Sequence, residues 1–193
     1  FVYVVVMVVV RDDLSDGGAF IFAQCIRQIR KRLPNCKVEV LIPDFEGNWD
    51  ALEAVMAAAP DTLNHNIETV YPIFHRVRPK GDYQRSLELL QKAKEMDSRM
   101  VTKSGMMVGL GEAWEEIAET MSNLRQVGCD LLTIGQYLRP SEKHFPLAKY
   151  YTPQEFEALA QEGYRRGFRH VASGPLVRSS YHADEQHDAA MAS

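Results

Sequence analysis

The strongest constraint on the fold of this chain is a regular alternation of strand-like and helix-like segments. An almost wholly apolar run, Val2–Val10, ends at Arg11-Asp12-Asp13 and is typical of a strand buried on both faces. Later strand starts recur at intervals of roughly 25–40 residues, which is the size of a βα unit. Six such units predict an α/β protein with either a barrel or an open doubly wound sheet. The predicted strands are Val2–Val10, Lys37–Ile42, Thr62–Asn66, one within Met100–Leu110, Asp130–Gly135 and His170–Ser173; the predicted helices are Gly17–Leu33, Trp49–Ala59, Tyr71–Arg76, Asp82–Met96, Glu112–Val127 and Pro153–Arg166.

Length and continuity predict one domain. A chain of 193 residues can bury a sizeable core, and no stretch has the composition of a linker. We expect the domain to cover residues 1–181 and a loosely ordered tail to follow from His182, where apolar periodicity is lost. Because the chain begins directly on a central strand, we also expect that a preceding segment has been removed.

Composition excludes several classes of partner. A net charge of −4, with Arg30–Arg32 as the longest basic run, disfavours nucleic acid. The apolar start is too short to span a membrane and lacks the features of a signal peptide. Three scattered cysteines, Cys25, Cys36 and Cys129, fit a reducing compartment better than a disulfide framework.

Polar residues follow nearly every predicted strand, at the end where βα barrels carry their chemistry. Asn64, Asn66 and Glu68 alternate along one strand, so they would present hydrogen-bonding groups on one side, able to grip a ribose or similar polyol. His65 is out of phase with them and is expected to be a packed histidine. The other polar strand ends are Asp12-Asp13, Pro43-Asp44, Thr102–Gly105, Gly109–Glu112, Gln136–Pro140 and Arg178–Tyr181.

Each of these groups also has a purely structural interpretation. Asp12 and Asp13 could cap a helix. Gly109 and Gly111 could be turn glycines, with Glu112 favoured by the dipole of the following helix. The chain lacks a G-x-S-x-G elbow, an H-E-x-x-H pair and a P-loop, and G-L-G-E lacks the spacing of a dinucleotide fingerprint.

Five strings, collinear over nearly the whole chain, resemble the lipoyl synthase family. They are Arg-Asp-Asp-Leu-x-Asp-Gly-Gly-Ala at 11–19, Asn-His-Asn-Ile-Glu at 64–68, Thr-Lys-Ser-Gly with Val-Gly-Leu-Gly-Glu at 102–112, Gly-Gln-Tyr-Leu-Arg-Pro-Ser at 135–141 and Arg-Ser-Ser-Tyr-His-Ala-Asp at 178–184. The resemblance implies a partial (β/α)6 barrel of the radical S-adenosylmethionine type. It also implies two [4Fe-4S] clusters and the insertion of sulfur at C6 and C8 of a protein-bound octanoyl chain.

The resemblance assigns roles to particular residues but names no catalytic side chain. Ser180 matches an oxygen ligand of the auxiliary cluster, which would bind iron differently from a thiolate. Asn66 and Glu68 match the residues that hold the ribose, and Asn64 is expected beside them among the cofactor-binding residues. The remaining assignments are Gly109, Gly111 and Glu112 near adenine and methionine, Lys103 and Arg139 as partners of carboxylates, and Arg11, Asp12 and Arg178 near the substrate or a cluster.

The same resemblance implies partners and a compartment. The acceptor would be an octanoylated lipoyl domain or the glycine cleavage H protein, and the electron donor a ferredoxin or flavodoxin. The location would be the cytoplasm, or a mitochondrion or plastid in a eukaryote.

The sequence departs from the family in two ways. Both cysteine triplets that hold the clusters are absent, and Cys25, Cys36 and Cys129 cannot replace them, so we expect this chain alone to bind no cluster and to be inactive. Apolar residues, Met7–Val10 and Phe20-Ile21, stand where the family has polar ones and should make the cavity less polar. Two alternatives stay open, a catalytically dead barrel that binds a lipoyl domain and another sulfur-inserting enzyme such as a biotin synthase.

Overall fold

The computed structural model describes residues 2–8, 11 and 13–192. Six parallel strands form one sheet whose spatial order is the order of the chain. In a doubly wound sheet the strand order reverses at a switch point, so sequential order selects the barrel alternative. The expected α/β class and partial (β/α)6 barrel are confirmed. The strands are β1 (Tyr3–Met7), β2 (Lys37–Leu41), β3 (Thr62–Asn64), β4 (Val101–Val108), β5 (Leu131–Gln136) and β6 (His170–Gly174); the helices are α1 (Ala19–Arg32), α2 (Trp49–Met56), α3 (Tyr71–Val77), α4 (Tyr83–Met96), α5 (Trp114–Gln126), α6 (Pro153–Arg165) and α7 (Ala183–Ala192).

Most predicted elements differ from the observed ones only at their ends. Helix α1 starts after Gly17 and Gly18, whose φ angles of 59° and 88° are left-handed and cannot continue a helix. Strand β3 ends at Asn64 rather than Asn66, and the backbone turns away before Glu68, where φ is 69°. Of the predicted first strand, Val9 and Val10 lie outside the described residues.

Alternation along β2 shows how the sheet divides its two faces. Val38 and Val40 are fully buried in the core between sheet and helices. Glu39 lies between them in sequence and therefore points to the opposite face, into the barrel interior. Strand pairing places Asn64 beside Lys103. The interior therefore carries buried polar side chains, whereas the outer face is apolar.

The segment expected to be a loosely ordered tail instead contains helix α7. His187 hydrogen bonds to the hydroxyl of Thr62 at 2.9 Å, and Ala190 packs against Val101 in a buried cluster. Thr62 and Val101 are the first residues of β3 and β4, so α7 covers the amino-terminal end of the interior. Its buried side includes polar residues such as Gln186, which is why apolar periodicity failed to reveal it.

No helix among residues 2–8, 11 and 13–192 has the length and apolar character needed to cross a bilayer.

Candidate functional site

A cavity of about 590 Å³ opens at the carboxyl ends of β1, β2 and β3. This is the end at which βα barrels place their ligand sites. Its volume lies within the roughly 300–1,000 Å³ typical of small-molecule pockets. Arg11, Asn66 and Glu68, three of the predicted site residues, form part of its wall. Its other ionisable lining side chains are Asp44, Glu46, His65, Arg78 and Lys80.

Glu68 is held at the cavity by its backbone and by one arginine. Its amide donates to the carbonyl of Gly105 at 3.0 Å, and its own carbonyl accepts from the amide of Met107 at 2.8 Å, so it adds one bridge to β4. The guanidinium of Arg78 donates to its carboxylate at 2.8 Å. Burial raises the pKa of Glu68, while Arg78 and a hydrogen bond from Asn66 oppose the rise. The site therefore contains a partly buried carboxylate paired with a half-exposed arginine.

The Asn66 amide can lie against β4 because the residue it meets there, Gly105, has no side chain. A β-carbon on Gly105 would lie 2.7 Å from Oδ1 of Asn66 and 2.6 Å from Oγ1 of Thr133. Contacts that short do not occur, so only glycine leaves space for the Asn66 amide. The cavity wall thus presents an amide next to the Glu68 carboxylate, a pair suited to hydroxyl groups.

Asn64, which the sequence grouped with Asn66 and Glu68, does not line the described cavity. Strand β3 ends at Asn64, so only Asn66 and Glu68 reach the cavity. Asn64 is fully buried below it, where its Nδ2 donates to Glu39 at 2.9 Å and its Oδ1 has no hydrogen-bond partner.

Lys103 is paired inside the barrel rather than at the cavity wall. Its ammonium lies 3.1 Å from the Glu39 carboxylate, and both side chains are 0% exposed. The hydroxyl of Tyr3 also donates to Glu39 at 2.9 Å. Burial lowers the pKa of Lys103, and Glu39 opposes that shift. These residues with Asn64 form a polar layer below the cavity, which we call the interior floor (Tyr3, Glu39, Asn64, Lys103).

The Gly109–Glu112 turn is closed by its own side chain. Glu112 accepts from the backbone amides of Gly109 and Leu110 at 2.7 and 2.8 Å. Gly109 and Gly111 have φ angles of 106° and 101°, which favour glycine. A β-carbon on Gly109 would lie 2.5 Å from the Lys149 carbonyl. The local bonding is thus that of a glycine turn closed by Glu112. The turn does not line the described cavity.

Three predicted cationic residues are bonded locally. Arg11 pairs with Asp13 at 2.6 Å at the cavity wall. Arg139 donates to the carbonyls of Glu142 and His144 within its own loop. Arg178 is exposed and donates to the adjacent Val177 carbonyl at 2.7 Å. Ser180 is also exposed, and Asp12 lies outside the described residues.

His65 is packed as expected. Its Nδ1 lies 2.9 Å from the Ile42 carbonyl and its Nε2 3.0 Å from the Ser86 hydroxyl. Burial lowers its pKa. Since both ring nitrogens have protein partners, His65 supports the wall of the cavity.

The apolar replacements are spread out rather than gathered at the cavity. Val8 lines it, whereas Met7 and Phe20 are 58% and 63% exposed. Val9 and Val10 lie outside the described residues. Among the described replacements, Val8 is the one that lines the cavity, beside charged side chains such as Arg11 and Asp44.

Sequence reasoning missed three residues of this region. Glu39 is the lone acid within the apolar run Val38–Leu41, and that isolation was an available signal of a buried partner. Arg78 pairs with Glu68 from a loop, and nothing in its spacing indicates the contact. Ser179 donates from its hydroxyl to Oδ1 of Asn66 at 2.9 Å, across 113 positions of sequence.

Residues 2–124 match the radical SAM superfamily, which covers more than half of the chain. The chain is 60% identical over 190 residues to a lipoyl synthase of Symbiobacterium thermophilum, covering 98% of this chain and 59% of that protein. It is 59% identical to the lipoyl synthases of Caldanaerobacter subterraneus and Rubrobacter xylanophilus, covering 94% and 95% of this chain and 64% and 57% of theirs. The chain thus spans about six-tenths of the length of these curated relatives.

Solved structures agree on the fold. Methylornithine synthase superposes with a TM-score of 0.68 at 11% identity, over 86% of this chain and 49% of that one. A domain of pyruvate-formate lyase-activating enzyme from Bacteroides vulgatus gives 0.65 at 10% identity, over 88% and 98%. The predicted resemblance is confirmed: this chain belongs to the radical SAM superfamily, and nearly all of it corresponds to part of the lipoyl synthases.

Proposed function

We propose that the protein containing this chain is a lipoyl synthase, which replaces C–H bonds at C6 and C8 of a protein-bound octanoyl chain with C–S bonds. The observation that carries this proposal is the 60% identity over 98% of the chain. The alternative of a biotin synthase receives no support from these relatives, which are all lipoyl synthases.

The cavity fits the nucleoside part of S-adenosylmethionine. The Asn66 amide can donate and accept, and the Glu68 carboxylate accepts, which together match a ribose diol. The space that Gly105 leaves open is filled by the Asn66 amide. When bound and reductively cleaved, S-adenosylmethionine supplies the radical that removes hydrogen from the octanoyl chain.

Two ion pairs of this chain would flank the ligand: Arg78–Glu68 beside it and Lys103–Glu39 below it. Arg78 holds the Glu68 carboxylate in place, so its oxygens need not reorganise when a hydroxyl donates to them. The Lys103–Glu39 pair closes the interior beneath with opposite charges, leaving no fixed net charge between them. We assign Gly109, Gly111, Glu112 and Arg139 to the outer boundary of the site, where they hold the turn and loop beside it.

An iron-sulfur cluster does not fit the described part of this chain by itself. No group of three cysteine, histidine or acidic side chains is close enough to hold a metal ion among residues 2–8, 11 and 13–192. Cys129 is fully buried, and burial raises its pKa to about 12, which opposes the thiolate form that binds iron. We therefore assign the cluster cysteines to other parts of the protein. Exposed Ser180, two positions after Arg178, is our proposed contribution of this chain to the auxiliary cluster. We assign Arg11 and Asp12 to the vicinity of the substrate or a cluster from their sequence alone.

The proposal implies the partners. The acceptor is an octanoylated lipoyl domain or H protein, and a ferredoxin or flavodoxin supplies electrons. The cytoplasm is the compartment we propose, since the relatives compared here are bacterial proteins.

The test is conversion of an octanoylated lipoyl domain by the complete gene product, reconstituted anaerobically with iron and sulfide. With S-adenosylmethionine and a reductant, mass spectrometry should show the gain of two sulfur atoms. If S-adenosylmethionine is cleaved but the octanoyl chain stays intact, the proposal is wrong. Binding of the octanoylated domain without cleavage would instead support the scaffold alternative.

A further inference from the structure

We propose that Ser179 is a positioning residue that fixes the amide of Asn66 from a strap crossing the mouth of the barrel. The strap is the segment 174–181, which follows β6. This inference rests on the proposed function in one respect, because Asn66 is there a nucleoside-binding residue. The geometry of the strap is independent of that role.

The strap first crosses β5 at Gly135. A β-carbon on Gly135 would lie 2.3 Å from the carbonyl oxygen of Val177. Any other residue at position 135 would therefore push the strap outward. Val177 is itself buried, with 7% of its surface exposed. This close backbone approach shows that the strap is seated on the sheet at this point.

The strap then reaches the segment that follows β3, the strand that lies beyond β4 and β5 in the sheet order. There the Ser179 hydroxyl donates to Oδ1 of Asn66 at 2.9 Å. Asn66 can occupy that place because Gly105 on β4 carries no side chain. Two interior glycines, one on each of the strands crossed, thus make room for the strap and for its partner.

Ser179 and Glu68 hold the Asn66 amide from two sides. The Ser179 hydroxyl donates to Oδ1 of Asn66, so the amide oxygen faces the strap and the amide nitrogen is left to donate to the Glu68 carboxylate. One lone pair of Oδ1 and one N–H of the amide remain for a ligand. A nucleoside and the strap therefore contact the same amide group.

Because the strap and the ligand contact the same amide, a seated strap should strengthen nucleoside binding, and a bound nucleoside should hold the strap in place. Such coupling is reciprocal: if the strap strengthens nucleoside binding, the nucleoside must protect the strap to the same degree. Ser179 precedes Ser180 in the chain, so the coupling extends to the residue proposed to meet the auxiliary cluster.

The first test measures the strap in the complete gene product by hydrogen–deuterium exchange without ligand. Ser179→Ala should speed exchange of the amides at 177–181 by about fivefold, the effect expected for one lost hydrogen bond. Gly135→Ala should do the same by displacing Val177, with circular dichroism as the check on folding. Ser122→Ala, a half-buried serine on α5, is the matched control and should leave the strap unchanged. In an Asn66→Ala background, Ser179→Ala should add nothing.

The second test measures binding of S-adenosylhomocysteine by calorimetry. Ser179→Ala should weaken binding by about fivefold, and Ser179→Thr, which keeps the hydroxyl, should restore it. Unchanged strap exchange in Ser179→Ala, or unchanged affinity alongside a wild type that binds, would overturn the inference. If the wild-type protein fails to bind the nucleoside, the proposed function fails, and the exchange data alone decide whether Ser179 positions Asn66.

Discussion

At the scale of single residues, the interior floor is the most unusual feature of this barrel. Lys103 and Glu39 are both removed from water, and the attraction between them offsets the cost of burying each charge. Asn64 and Tyr3 add hydrogen bonds to the same carboxylate. Each charge therefore stabilises the fold only while its buried partner is present.

Replacing one member of this pair should cost far more than replacing both. Lys103→Met leaves Glu39 charged and buried, so the free energy of unfolding should fall by about 3–5 kcal/mol. The double variant Glu39→Leu/Lys103→Met should regain most of that loss. Urea denaturation measures both, with Lys31→Met on the exposed face of α1 as the control. Equal stability of the single and double variants would refute the coupling.

Sequence patterns predicted which residues lie near the cavity better than they predicted the partners that those residues contact. The run 64–68 predicted polar groups at one edge of the sheet, and Asn66 and Glu68 line the cavity there, while their contact with a ligand stays a prediction. Asn64 was misplaced, since a strand pattern carries no information on where the backbone leaves the sheet. The partner of Lys103 could not be predicted either, because strand pairing brings it to Glu39 across 64 positions.

At the scale of elements, Asp61 ties α1 to β2. Its carboxylate accepts from Arg30 at 2.7 Å, from Lys37 at 3.1 Å and from the amide of Val38 at 2.8 Å. Burial would raise the pKa of Asp61, but these three donors outweigh it and hold the pKa below its ordinary value. The ionised form is therefore stabilised by folding.

This arrangement predicts a specific acid sensitivity. A carboxyl whose folded pKa is lowered contributes stability above its unfolded pKa of about 3.9, and the contribution is lost as pH falls through the folded value. Asp61→Asn should lower stability at pH 7 and flatten the decline below about pH 4. Unfolding followed by circular dichroism across pH 2.5–7 measures this. Glu119→Gln on the exposed face of α5 should keep the wild-type profile, and an unflattened decline in Asp61→Asn would contradict the assignment.

Helix α7 should detach when its buried side receives a charge. Ala190 packs against Val101 and Leu131, so Ala190→Glu would bury an unpaired carboxylate or expel the helix. Tryptic cleavage near Arg178 should then accelerate. Met191→Glu changes the neighbouring exposed position and should cleave at the wild-type rate; similar rates for both variants would show that α7 does not depend on this contact.

At the scale of the whole molecule, the three cysteines lie away from the cavity: none of their thiols is part of its lining. Cys36 and Cys129 are buried and Cys25 lies within α1. Because iron-sulfur clusters are held mainly by thiolates, this chain on its own should not retain one.

Anaerobic reconstitution of the isolated chain should therefore yield iron and sulfide well below the content of one cluster per chain, with no lipoylation of an octanoylated domain. The complete gene product treated in parallel is the positive control. Stoichiometric cluster in the isolated chain would show that the prediction is wrong.

The overall fold was largely predictable, because the recurrence of βα units fixes the order of elements. Periodicity alone did not distinguish a barrel from a doubly wound sheet, because it does not show which strands pair. The family resemblance predicted the barrel. Helix α7 was missed because two of its four buried residues, Gln186 and His187, are polar.

The sequential strand order also governs how the chain can fold. Every strand pairs with the strand before it, so each pairing closes a loop of only one βα unit, and the sheet can grow one unit at a time in the order of synthesis. The contacts of His187 with Thr62 and of Ser179 with Asn66 span 125 and 113 positions and must form last. We therefore expect a late folding phase in which residues 174–192 dock at both ends of a barrel that is already assembled.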